Sequence, residues 1–86
     1  MRYCEICGIP NAEQHHLVFG NANRKLSDSD ELVMDLCRDH HEFMHKNGKI
    51  SRIIGQLMYE RNKCAEGYSI DAARQSFRMR YGKSYL

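Results

Sequence analysis

Tryptophan is absent from this 86-residue chain, phenylalanine occurs three times and proline once. So few large apolar side chains limit the core. A domain of this size buries only about 60% of its unfolded-chain surface, and a metal staple is a common supplement. No apolar run approaches the roughly 18 residues of a membrane span. The start, Met1-Arg2-Tyr3-Cys4, lacks the apolar stretch of a secretory signal. Repeats, low-complexity tracts and linkers are missing as well, so the expectation is a single domain over 1–86 in a reducing, cytoplasmic setting. In that setting, paired cysteines read as metal ligands rather than disulfides. The hydrophobic fraction of 42% and charged fraction of 28% exclude a disordered chain.

The net charge is only +2, but it is unevenly placed. Residues 50–86 carry Arg52, Arg61, Lys63, Arg74, Arg78, Arg80 and Lys83 against three acidic side chains. Residues 1–49 carry six basic against eight acidic. A basic C-terminal half suits a polyanionic partner, although charge on helices is more often a solvated face.

What the chain does have is histidine and cysteine in one arrangement: Cys4-x-x-Cys7, His15-His16, Cys37-x-x-His40-His41 and His45. Each x2 pair presents two donors from one turn, and two pairs close a tetrahedral zinc site. Cys4, Cys7, Cys37 and His40 are therefore expected to hold a structural Zn²⁺. Cys64 is left over and reads as a buried free thiol on the apolar face of a helix. His15, His16, His41 and His45 also remain, and a structural zinc has no use for them.

A coarse reading of the elements places these residues. Cys4 to Gly8 reads as a zinc knuckle whose backbone N–H groups point at the thiolates, with Gly8 supplying a positive φ. Residues 14–19 and 32–36 read as an antiparallel strand pair. Between them residues 20–29 read as a polar loop, functional by its length, in which Ser27-x-x-Asp30 could cap a helical turn. A helix runs from Cys37 to about Lys46, with Gly48 as its stop. A second starts near Ser51, with Ile50, Ile53, Ile54, Leu57 and Met58 on its apolar face, and ends at Gly67. A third follows Ser69 as N-cap, with Ile70, Ala73, Phe77 and Tyr81 on one face and Gly82 as its stop. The fold class is α+β. On a strand, His15 and His16 point to opposite faces; on a helix, His41 and His45 share one. An ion between the two elements could take His15 from one side and His41 or His45 from the other.

The order Cys-x-x-Cys-Gly, His-His, strand, Leu-Cys-x-x-His-His, His resembles the HNH endonucleases, whose ββα-metal fold often carries a zinc knuckle. More narrowly, the run from His15-His16-Leu-Val-Phe-Gly through Arg24-Lys25 to Ser29 is similar to small bacteriophage and prophage HNH-type proteins related to phage recombination-enhancement nucleases. The ending Phe77-Arg-Met-Arg-Tyr81-Gly-Lys-Ser-Tyr-Leu86 fits that group. The motifs cover residues 4–45 and the tail; residues 50–70 match only in helical character.

This resemblance implies a zinc-stapled ββα-metal core over 1–48 and a helical extension over 49–86. It implies His16 as the general base that activates water. It also implies His15 and His41, with His45 as a further ligand, around one Mg²⁺, Mn²⁺ or other divalent ion. Arg24 and Lys25 become candidates for phosphate contacts. The partner implied is DNA, with RNA left open. One departure stands out: where many HNH proteins place an Asn before the second strand, this chain has Asp30-Glu31. Asn21 and Asn23 lie earlier and could substitute, so the middle residue of the triad is unassigned. Two other functions compete. One is a zinc-stapled module that binds nucleic acid or protein without cutting. The other is a phage protein that inhibits or redirects a host nucleic-acid enzyme.

Overall fold

The computed structural model describes the backbone of residues 1–86 and every side chain except that of Asn21. Its elements run β1 (Glu13–His16), α1 (Asn21–Ser29), β2 (Val33–Leu36), α2 (Arg38–Lys46), α3 (Gly48–Ala65) and α4 (Ile70–Tyr81). The fold is α+β, with one two-stranded antiparallel sheet in which Glu13 pairs with Leu36 and His16 with Val33. Among the described residues no helix is long and apolar enough to cross a membrane.

The N-terminal knuckle folds on itself and then onto the sheet. Gly8 has φ +79, as the tight turn requires. The Gly8 N–H donates to the Cys4 carbonyl, and Cys4 N–H to that of Ile9, both near 2.9 Å (2.8 and 2.9 Å). Glu5 N–H reaches the Asp35 carbonyl at 2.8 Å, which docks the knuckle on β2. Cys4, Ala12, Leu36, Cys37 and Met44 form one small core there. A second core of Val18, Leu32, Tyr59, Phe77 and Tyr81 joins the segments flanking the sheet to α3 and α4.

Several expectations are corrected. Residues 20–29 are not a loop: most of them form α1. The segment has weak helical signals, but Leu26 packs against the second core. Ser27, expected as a cap, lies inside α1 and is buried. Its hydroxyl donates to the Leu32 carbonyl at 2.8 Å, tying α1 to the chain entering β2. Tertiary contacts thus decide a conformation that propensity leaves open. The strands are correspondingly shorter than expected, and Leu17 and Val18 run off β1 into full burial.

Gly48 does not stop α2 but opens α3. Asn47 makes the break, with its side-chain amide donating to the Phe43 carbonyl at 2.9 Å. A side chain at Gly48 would meet Arg52 and Phe19, with a Cβ 3.2 Å from the Phe19 ring.

The buried face of α3 is not the aliphatic one. Ser51, Gly55, Gln56, Tyr59 and Glu60 face inward; of the expected apolar face, Ile54 and Met58 are partly buried against the two cores, while Ile50 and Leu57 are about half exposed, at 44% and 50%. Two physical reasons account for it. Gly55 lets the helix lie directly on Leu17 and Val18. The polar groups are also fully paired. Gln56 donates to Glu60 at 2.8 Å and accepts from Tyr85 N–H at 2.7 Å, and Arg74 clasps both Glu60 oxygens at 3.1 Å. Among the described residues no buried side-chain polar atom lacks a partner. On α4 the N-cap reading holds: the Ser69 hydroxyl accepts from Ala72 N–H at 3.1 Å. Ala73, Phe77 and Tyr81 are buried as expected, but Ile70 is 52% exposed. Gly82, at φ +90, closes the helix.

Glycine in mid-helix costs about 1 kcal/mol against alanine, so Gly55→Ala would ordinarily stabilise. Here the new Cβ would lie 2.7 Å from Val18 Cγ2 and 3.1 Å from Leu17 Cβ, and Val18 is a stiff, β-branched neighbour. The substitution is expected to destabilise by about 1–3 kcal/mol, read as a lower urea midpoint; a higher midpoint would show that α3 is not held this close.

Candidate metal centres

The knuckle, the end of β2 and the start of α2 bring Cys4, Cys7, Cys37 and His40 together, with one donor atom from each lying within 4.8 Å of the others. A tetrahedral zinc, with Zn–S near 2.3 Å and Zn–N near 2.0 Å, sets S–S edges of about 3.8 Å and S–N edges of about 3.5 Å. The Cys7 and Cys37 sulfurs are 3.8 Å apart. His40 Nδ1 lies 3.4 Å from the Cys4 sulfur and 3.2 Å from that of Cys37. No pair is a disulfide; all four cysteines are free thiols. The donor set fits a structural zinc, as the spacing predicted.

Electrostatics point the same way. Burial raises the Cys4 thiol, but backbone N–H groups from Cys37, Cys7 and Ile6, then the His40 ring, outweigh it and bring its pKa from 9.0 to about 5. At Cys7 the Ile9 backbone N–H lowers the pKa, yet burial and the Cys4 and Cys37 sulfurs raise it overall. The knuckle favours one thiolate, and its neighbours resist a second without a cation. Cys64 takes no part in the cluster, and the expectation that it is buried is wrong: it is exposed near the end of α3.

The second cluster is His15, His41 and His45, one nitrogen of each lying within 4.8 Å of the others. The ring centroids are 4.8 to 5.2 Å apart. β1 supplies His15, and successive turns of α2 supply His41 and His45. His15 is buried and its Nε2 lies 2.9 Å from the Ser51 hydroxyl. Burial, followed by the fields of His41, His45 and His16, lowers its pKa from 6.5 to about 4. It is therefore neutral at pH 7, the form that ligates metal. His41 Nδ1 lies 3.3 Å from a Glu13 carboxylate oxygen, and its Nε2 lies 3.1 Å from His45 Nε2. Such a carboxylate–histidine pair is the usual outer support of a metal-binding imidazole.

These residues line a pocket of about 550 Å³ together with His16, Phe19 and Arg24. His15 and His16 leave their strand in different directions, yet both reach this pocket because β1 ends at His16. His16 Nε2 donates to Asp28 on α1 at 3.2 Å, which leaves Nδ1 free to accept a proton. Of the two cations expected at the site, Arg24 lines the pocket; Lys25 is exposed and does not. Asp30, at the place of the missing Asn, is committed elsewhere: it accepts from Arg80 and from the Tyr81 hydroxyl, both at 2.6 Å. Asn23 is half-buried on α1, and the Asn21 side chain lies outside the described residues.

Sequence reasoning missed Asp28, Glu13 and Ser51. Arg24 and Asp28 stand four apart, so a helical reading of that segment would have put them on one face. Glu13 gave no signal. Ser51 with Gly55, small residues one turn apart, marks a close helix contact. No protein-family profile, curated protein or solved structure matches the chain.

Removing zinc with a chelator is expected to unfold the protein, because structural zinc supplies on the order of 10 kcal/mol in small domains. Circular dichroism should collapse. Iodoacetamide, which should label only Cys64 in the zinc-loaded protein, should then label all four cysteines. Cys37→Ala should be molten, while His16→Ala folds normally. A far-UV spectrum unchanged by complete zinc removal would rule out the staple.

Proposed function

We propose that the protein is a metal-dependent DNA endonuclease or nicking enzyme of the HNH type. The observation that carries this reading is the convergence of His15, His16, His41, His45 and Arg24 on one pocket, after the zinc-type donor set has been accounted for elsewhere. A structural staple needs none of these five side chains, whereas phosphodiester hydrolysis uses each type.

In this reading His16 is the general base. Its Nδ1 takes a proton from water as the water oxygen bonds to phosphorus and the bond to the 3′ oxygen breaks. Asp28, accepting from Nε2–H, holds the ring in the tautomer that leaves Nδ1 basic and stabilises the imidazolium that forms. Arg24 offers paired N–H donors to a non-bridging phosphate oxygen, and Lys25 attracts the backbone from outside the pocket. A divalent ion held by His15, His41 and His45 would stabilise charge on the phosphate and on the leaving oxygen. Three imidazoles without an oxygen donor suit Co²⁺, Ni²⁺ or Zn²⁺ better than Mg²⁺ or Mn²⁺. The free thiols fit a reducing bacterial cytoplasm, and the resemblance argues for a phage or prophage origin.

A different observation favours a module that binds without cutting. Lys49, Arg52 and Lys83 line an open pocket of about 450 Å³. Arg52 stacks on Phe19, 4.3 Å from its ring centre, which places this basic surface beside the histidine pocket. A nucleic-acid backbone laid there would be held whether or not it is cleaved.

Plasmid nicking separates the two readings. Purified zinc-loaded protein should convert supercoiled DNA with Co²⁺ or Ni²⁺, and less with Mn²⁺ or Mg²⁺, while His16→Ala lowers the rate by about 10²–10⁴-fold. Equal cutting by wild type and His16→Ala, or no cutting across metals and DNA forms, would sink the nuclease. Salt-sensitive DNA binding in the absence of cutting would then support the module.

A further inference from the structure

We propose that Ser51 is a positioning residue for the histidine cluster: its hydroxyl holds the His15 ring in the Nε2–H tautomer and so assigns Nδ1 as the nitrogen offered to a divalent transition-metal ion. The metal half of this statement rests on the proposed function; the tautomer does not.

The assignment follows from counting one proton. The Ser51 hydroxyl lies 2.7 Å from the Leu17 carbonyl oxygen, which can only accept, so the single hydroxyl hydrogen is spent there. What Ser51 then turns toward His15 Nε2, at 2.9 Å, is a lone pair. Nε2 must carry the hydrogen, and the ring's own lone pair is left at Nδ1. Both residues are shielded from competing water, with His15 2% exposed and Ser51 fully buried. The arrangement is rigid at both ends. Ser51 sits in the first turns of α3, and Gly55, one turn on, presses that helix against Leu17 and Val18. His15 in turn is fixed in β1 opposite Met34.

The neighbouring histidine is supported in a complementary way. His41 donates from Nδ1 to Glu13, so its lone pair is at Nε2, the atom 3.1 Å from His45 Nε2. Cis donors about 2.1 Å from one ion lie roughly 2.9 to 3.4 Å apart, depending on coordination geometry, which brackets that separation. Outer partners of this type change metal affinity by about 10–100-fold when removed. Ser51 belongs to the helical extension, so the ligand set and its support come from different parts of the chain.

Two-bond ¹H–¹⁵N correlation spectra of the histidine rings test the tautomer directly, on protein holding one equivalent of zinc and no second metal. The expected result is a protonated Nε2 and an unprotonated Nδ1 at His15. The reverse tautomer, or an equal mixture, in the wild type overturns the proposal without any variant. Co²⁺ titration, followed by its visible absorption, tests the consequence. Ser51→Ala should bind the second ion about 10–100-fold more weakly with occupancy of the cysteine site unchanged. Ser51→Thr, which keeps the hydroxyl, should restore the affinity. Unchanged Co²⁺ affinity in Ser51→Ala overturns the positioning role. A wild type that shows the expected tautomer but takes up no second ion overturns the metal assignment and the metal site of the proposed nuclease, while the tautomer stands.

Discussion

Three sulfurs and one imidazole crowd into a cluster a few ångströms across, and the N-terminal half of the molecule is arranged around that crowding. As thiolates, the sulfurs would repel one another. The fields of Cys4 and Cys37 help push the Cys7 thiol up, so the geometry is favourable only if a cation repays it. The apolar contacts around the cluster are few: Cys4, Ala12, Leu36, Cys37 and Met44, two of them ligands themselves. The knuckle therefore has little reason to fold alone, and a metal bound by this donor set would supply what a larger core supplies in a longer chain.

α2 is the element that separates two chemistries. Its first turn gives His40 to the cysteines, and the next residue, His41, turns about 100° round the helix axis toward the sheet's other ligand. One residue of phase thus divides a closed site from an open pocket. His45, one turn on, repeats the direction of His41. A helix anchored at its start by a structural centre holds its later side chains in fixed register to β1, which an open site of three imidazoles needs if its nitrogens are to stay near contact distance.

The ligands were legible because metal binding constrains spacing. Cys4-x-x-Cys7 and Cys37-x-x-His40 speak through local turns, and the surplus of histidines speaks through number alone. The elements around them were less legible. α1 has no side-chain cap and no charge bias at its ends, so only its tertiary anchors, Leu26 and Ser27, make it helical, and those are invisible in a linear pattern. The face of α3 was misread for a related reason. Periodicity ranks side chains by apolarity, but Gly55 and Ser51 win the buried face by being small, and Gln56 and Glu60 join them because Arg74 and Tyr85 satisfy their polar atoms. Asp28 and Ser51 were missed as site residues through these two errors, since each sits on a helix whose presence or orientation was wrong.

The division into a core over 1–48 and an extension over 49–86 describes where the ligands are better than how they are held. Every candidate ligand precedes Lys46, yet His15 makes its buried hydrogen bond to α3, and Val18 and Leu32, which flank the sheet, find their core against Tyr59, Phe77 and Tyr81. α4 is tied back through Asp30, which accepts from both Arg80 and Tyr81, so this residue works as a clasp between the end of α1 and the last helix. The Asp30 carboxylate is partly shielded from water, so losing either donor would leave it poorly paired. Arg52 then stands beside the pocket, stacked on Phe19, because the helix that meets His15 through Ser51 carries it in the next position.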